Sequence, residues 1–145
     1  MTTHSLQASA LTLSARHGAT LANVSAAVAR YLLGTTFFVF GLNGFLNFIP
    51  PPAEGIPAAA AAFGGALAQT GYMFPLIKGT EVIAGALLLA NRWVSLALLL
   101  LAPIVVNIIA FHAFLAPGLA IPLVLLVLGS FLAWTRRATF ASLFR

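Results

Sequence analysis

Four long apolar runs dominate the chain, at about residues 31–49, 71–90, 93–115 and 118–134. At about 1.5 Å of rise per helical residue, runs of this length approach or exceed the ~30 Å of hydrocarbon in a bilayer. The first extends upstream toward Ala26, and the last is the shortest. Leu87-Leu88-Leu89 and Leu98-Leu99-Leu100-Leu101 are continuous, without the polar–apolar alternation of a barrel strand. Backbone amides cannot stay unpaired in lipid, so each run is predicted to be a helix. The expected fold is all-α: a four-transmembrane-helix antiparallel bundle.

The connections set the topology. Pro50-Pro51-Pro52 is expected to stop the first helix, since proline lacks an amide proton and clashes with the preceding turn. Asn91-Arg92 and Ala116-Pro117-Gly118 are short turns, which force antiparallel neighbours. Between the first two spans, Ala53 to Thr70 is rich in alanine and glycine. Alanine favours helix, but the alanine-rich part from Pro57 onward, about 13 residues, is too short to span, so a short extracytoplasmic surface helix is predicted.

Charge fixes the orientation. Hydrophobic residues make up 61% of the chain and charged residues 6%, with a mean hydropathy of +1.06. Globular proteins carry about 25% charge, so this chain cannot build a water-facing shell. Arg16 and Arg30 precede span one, Arg92 lies between spans two and three, and Arg136, Arg137 and Arg145 follow span four. All six fall on one side of a four-span model, which the positive-inside rule assigns to the cytoplasm. Trp93 and Trp134 fall at the same boundary. The net charge of +5 is therefore read as a topology signal and not as a nucleic-acid footprint, because the basic residues are scattered. The chain divides into a cytoplasmic segment (1–25), a transmembrane domain (26–135) and a basic cytoplasmic tail (136–145). The first 20 residues lack the basic-then-apolar order of a signal peptide. With no cysteine, thiol relays, disulfides and thiolate metal sites are excluded.

Six residues with a charged, amide or imidazole side chain fall inside the runs: Asn43, Asn47, Lys78, Glu81, Asn107 and His112. Polar groups at membrane depth are costly, and each is a candidate for function. Counting helical rise, Asn43 lies ~19 Å from Arg30, Lys78 ~10 Å and Glu81 ~15 Å into span two, and Asn107 ~21 Å from Trp93. Asn47 and His112 lie nearer the outer surface, so a polar pocket in the outer half of the bundle is expected. Lys78 and Glu81, three apart, share a helix face, either as a proton-exchanging site or as a self-neutralising pair that sets register. Asn43 and Asn47, four apart, are expected to share a face of span one as interhelical glue. Pro103 should kink span three, and Asn107 then either lines the opening or packs against a neighbour. His112 stands about 140° around the helix from Asn107, and reads as a solvated or capping residue. No His or Glu spacing suits a metal or haem.

The segments Gly41-Leu42-Asn43-Gly44-Phe45, Lys78-Gly79-Thr80-Glu81-Val82-Ile83-Ala84-Gly85, Asn91-Arg92-Trp93-Val94 and Ala102-Pro103-Ile104-Val105-Val106-Asn107 resemble the DoxX family of small bacterial membrane proteins. The likeness runs from Arg30 to the end of span four. Many relatives carry a basic residue near Asn43 to Phe45, where this chain has none. The resemblance implies a four-helix fold in a bacterial inner membrane. It also implies work as a subunit or partner of a quinone-linked redox complex, more as a non-enzymatic component than as an enzyme alone, with quinone as the ligand. Two alternatives stand beside it. One is a small proton-linked transporter using Glu81 and Lys78, oligomerised through Gly44, Gly79 and Gly85. The other is a scaffold whose polar residues only pack helices.

Overall fold

The computed structural model describes the backbone of residues 2–50 and 55–141, with side chains from residue 20 onward. Glu54 and Arg145, and the side chains of His4, Arg16 and His17, lie outside the described residues. Among the described residues the chain is all helix: α1 (Thr2–Leu46), α2 (Ala58–Gln69), α3 (Met73–Leu89), α4 (Val94–Phe114), α5 (Ala120–Thr135) and α6 (Arg137–Ala141). Residues 2–25, read from sequence as a separate segment, continue into the first apolar run as one helix of 45 residues.

α1 stops where Pro50 would have to donate to the Leu46 carbonyl, and the closing contacts come from asparagines. The helix ends at Leu46, ahead of Pro50, and Asn47 takes a left-handed φ of 50°. Asparagine tolerates that conformation better than most residues. The Asn43 carboxamide oxygen then accepts the amide of Ile49 at 2.7 Å, folding the chain back over the helix end. Asn47 therefore does not share a helix face with Asn43.

Among the described residues two helical segments, Thr20–Leu46 and Val94–Phe114, are long and apolar enough to cross a membrane. α2 and α3 pass that test only together, and they meet at a bend of 94°. α5, at 16 residues, is a shorter apolar helix. α1 packs on α3 and α5, and α4 packs on the same two helices, so the four long helices close a ring. Leu33, Phe37, Ala84, Leu88, Leu101 and Leu132 fill its centre. The outside carries Phe114, Ile121, Val127, Val106 and Trp93 in the open. So large an exposed apolar surface marks contact with lipid.

The tightest contact in the ring is between α1 and α3. A methyl group added at Gly85 would lie 2.5 Å from the Phe38 amide nitrogen and 2.9 Å from the Gly34 carbonyl oxygen. One added at Gly34 would lie 3.1 Å from Leu88 Cβ, one at Gly41 2.9 Å from the Val82 nitrogen, and one at Gly44 2.5 Å from Lys78 Cγ. Contacts climb α1 as they descend α3, so the helices are antiparallel. The glycines let the backbones touch, which strengthens dispersion in lipid where no hydrophobic effect draws helices together. Gly44 and Gly85, expected as oligomer surfaces, are consumed inside this seam.

The turn between α3 and α4 is built from backbone. The Asn91 amide donates to Leu88 and the Arg92 amide to Leu87, with Asn91 at φ 53°. This is the Schellman closure, with asparagine in the left-handed position that glycine usually fills.

Because backbone atoms of α1 block any side chain at position 85, Gly85→Ala should lower unfolding free energy by about 1–3 kcal/mol, the usual cost of overpacking. Gly79→Ala, which meets open space, should be neutral or stabilising by up to ~1 kcal/mol through helix propensity. Unfolding both variants in mixed detergent micelles checks the contrast.

Candidate functional site

Three groups of polar atoms sit along the α1–α3 seam, and each is placed by the glycine spacing. At one end Arg30, only 7% exposed, donates to the carbonyl oxygens of Leu88 and, at 3.2 Å, Leu89. The last turn of α3 contains no basic residue of its own. Arg30 supplies from α1 both the missing donors and a cation at the negative end of the helix dipole. Its guanidinium also lies 4.3 Å from the centre of the Tyr31 ring.

Toward the other end, Lys78 Nζ donates to Glu81 Oε2 at 2.8 Å. The side chains are 22% and 4% exposed, so the carboxylate is enclosed while the ammonium reaches the rim. The missing side chains of Gly41 and Gly44 make room for Glu81 Cβ and the Lys78 stem respectively. Asn43 stands between those glycines, half-buried, its oxygen already engaged by Ile49.

Of the six residues named from sequence, the structure brings together Lys78 and Glu81. Asn43 lies on the adjoining stretch of α1. Asn47 is exposed beyond the helix end. His112 uses Nδ1 to donate to the Ile108 carbonyl at 2.9 Å, a turn-capping contact, with Phe111 edge-on at 5.2 Å. Phe63 of α2 approaches Phe111 at 5.9 Å, which tethers α2 to this end of α4. Asn107 is exposed on the outer face of α4, and neither it nor Pro103 lines the opening between α1, α4 and α5.

That opening is apolar. A cavity of about 270 Å³ lies between α1, α4 and α5, with Leu33, Phe37, Ala102, Val105 and Leu125 in its wall and Phe140 of α6 at its end. Ser130 brings its only side-chain hydroxyl. Leu33 and Phe37 place it in the half of α1 next to Arg30, away from Lys78 and Glu81.

Among the described residues no buried side-chain nitrogen or oxygen lacks a hydrogen-bond partner, and no three potential metal ligands cluster. The arrangement holds a neutral pair in place and offers a hydrophobic ligand a cavity. Among the described residues the hydroxyls of Ser25, Thr70, Thr80 and Thr135 donate to backbone carbonyls and not to a histidine or carboxylate. From sequence alone Arg30 reads only as a topology marker. The signal for its second role was one turn away, in the Gly34 that brings α1 onto the end of α3. No protein-family model matches the chain, and neither do any curated protein or solved structure.

The pair should behave as a unit. Lys78→Met leaves a buried carboxylate alone and should destabilise the protein by about 3 kcal/mol or more. Combining it with Glu81→Gln should recover most of that loss, since replacing both charges of a buried pair is often close to neutral. A thermal-unfolding cycle over the two singles and the double measures this. Equal and additive losses would mean the contact carries no coupling.

Proposed function

We propose that this chain is a four-span membrane protein of DoxX type that serves as a non-catalytic subunit of a quinone-linked redox complex in a bacterial inner membrane. Thr20–Leu46, α3, α4 and α5 are the spans, α2 is the extracytoplasmic surface helix, and both ends lie in the cytoplasm. Arg30 contacts the end of α3, and Arg136 reaches Asn91 in the next turn at 3.5 Å. The arginines thus gather at one end of the ring, as the positive-inside rule asks of a cytoplasmic face. α3 and α5 reach only ~25 Å as helices, and modest thinning of the bilayer accommodates them.

The observation that carries the redox reading is the apolar cavity. Its wall suits the prenyl tail of a quinone, and pockets for such ligands are mostly apolar with few polar groups. The polar groups nearby argue for holding rather than turning over. Arg30 is engaged by backbone, and Glu81 by Lys78. A proton-linked carrier would need Glu81 to exchange its proton with one side of the membrane, and its side chain is only 4% exposed.

Two measurements test this. Lipid extraction of protein purified in mild detergent should yield quinone near one per chain, and a pull-down should yield a redox partner. Finding neither overturns the reading. In the cysteine-free background, Ile56→Cys should react with an impermeant maleimide on intact cells, and Ala138→Cys only after permeabilisation. The reverse pattern would invert the topology.

A further inference from the structure

α4 has two faces. Val94, Ala97, Leu98, Leu101 and Val105 are buried against the other helices. On the opposite side, Leu96, Leu100, Pro103, Asn107, Ala110 and Phe114 recur at intervals of four and three; Leu96, Pro103, Asn107 and Phe114 are exposed, Ala110 is partly exposed, and Leu100 is partly exposed while also touching the core. That spacing is the seam of a left-handed helix pair, in which each position meets a partner helix. Phe114 is 85% exposed and Leu96 45%.

Asn107 makes the seam more than an apolar stripe. It sits ~20 Å from Val94 and ~10 Å from Phe114 along the helix, inside the hydrocarbon of any bilayer the helix crosses. Among the described residues its carboxamide has no hydrogen-bond partner. The side chain is too short to reach either headgroup layer from that depth; only long side chains do so. Lipid tails offer it nothing. A carboxamide carries a donor and an acceptor together, so it is complementary to a second carboxamide. Two copies inserted with the same orientation are related by a two-fold axis along the membrane normal. Each residue of α4 then meets its own counterpart at the same depth, and Asn107 meets Asn107 of the second copy.

We propose that α4 forms a symmetric homodimer seam, with the paired Asn107 carboxamides fixing its register. The partner is a second copy of this chain because the polar group is self-complementary and because identical topology places it at matching depth. One asparagine in such a seam specifies pairing in other helix pairs by the same physics. The dimer does not depend on the quinone reading, and neither tests the other.

The chain contains no cysteine, so one introduced thiol reports on contact. Phe114→Cys lies two turns along the seam from Asn107. Ile121→Cys, 71% exposed on α5, lies off it. In dilute proteoliposomes, copper-phenanthroline oxidation should convert the Phe114→Cys protein to a covalent dimer and leave Ile121→Cys at background. Adding Asn107→Leu should cut the yield about fivefold, as loss of an interhelical carboxamide bond would. Asn107→Gln, which keeps donor and acceptor, should restore it. Equal yields from the two thiol positions would overturn the seam. An unchanged yield with Asn107→Leu would overturn the role of the carboxamide. In native membranes, cross-linking of Phe114→Cys to a different polypeptide in place of its own copy would overturn the second-copy assignment.

Discussion

The contact on which the rest of the molecule depends is the backbone-to-backbone approach of α1 and α3. At Gly34 and Gly85 no side chain separates the helices, and the Phe38 amide fills the space a Cβ would need. Helices in lipid gain little from hiding apolar surface from one another, because the solvent is equally apolar. What remains is close packing, and glycine is the residue that permits it. Once α1 and α3 touch along this line, Arg30 is in reach of the α3 terminus and Lys78 and Glu81 are covered by Gly44 and Gly41. α4 and α5 then complete the ring over Leu33, Phe37 and Leu88.

A second constraint follows from the first. A chain with so little charge has few polar groups to satisfy, and it satisfies them locally. Arg30 closes carbonyls that the α3 terminus leaves open. The Lys78–Glu81 pair cancels its own charge. Asn43 takes the amide of Ile49, and His112 takes the carbonyl of Ile108. These are short-range solutions, each made within one helix or across one seam. Among the described residues the Asn107 carboxamide has no such partner, and its exposure on α4 is why a second copy is the natural place to look for one.

Much of this was legible in the sequence, because apolar run length and turn chemistry act locally. The runs at 71–90, 93–115 and 118–134 end within two residues of α3, α4 and α5. The alanine-rich stretch is the helix α2. The Lys78–Glu81 contact follows from i,i+3 spacing alone. What was not legible depended on tertiary distance. α1 stops at Leu46, four residues before Pro50, where proline can offer no amide, but the left-handed Asn47 and the Asn43 side chain that close the end could not be read from the prolines. The glycines of the seam read as generic small residues until their partners were known. Asn107 could be placed on the helix but not on its inner or outer face, since α4 is apolar all round and its hydrophobic pattern does not point. The apolar cavity between α1, α4 and α5 gives no sign in the sequence, because its wall is assembled from three helices whose apolar residues look alike along the chain.

The central claim, that α1 and α3 meet in one antiparallel register set by glycine, can be read from a single disulfide experiment. The Cβ built at Gly34 lies 3.1 Å from Leu88 Cβ, close to the ~3.5–4.5 Å of a disulfide. In the cysteine-free chain, the pair Gly34→Cys and Leu88→Cys should oxidise within the monomer, seen as an intramolecular mobility shift reversed by reductant. The pair Gly44→Cys and Leu88→Cys, more than two helical turns out of register, should stay reduced. Oxidation of the second pair in preference to the first, or of neither, would contradict the seam and the arrangement built on it.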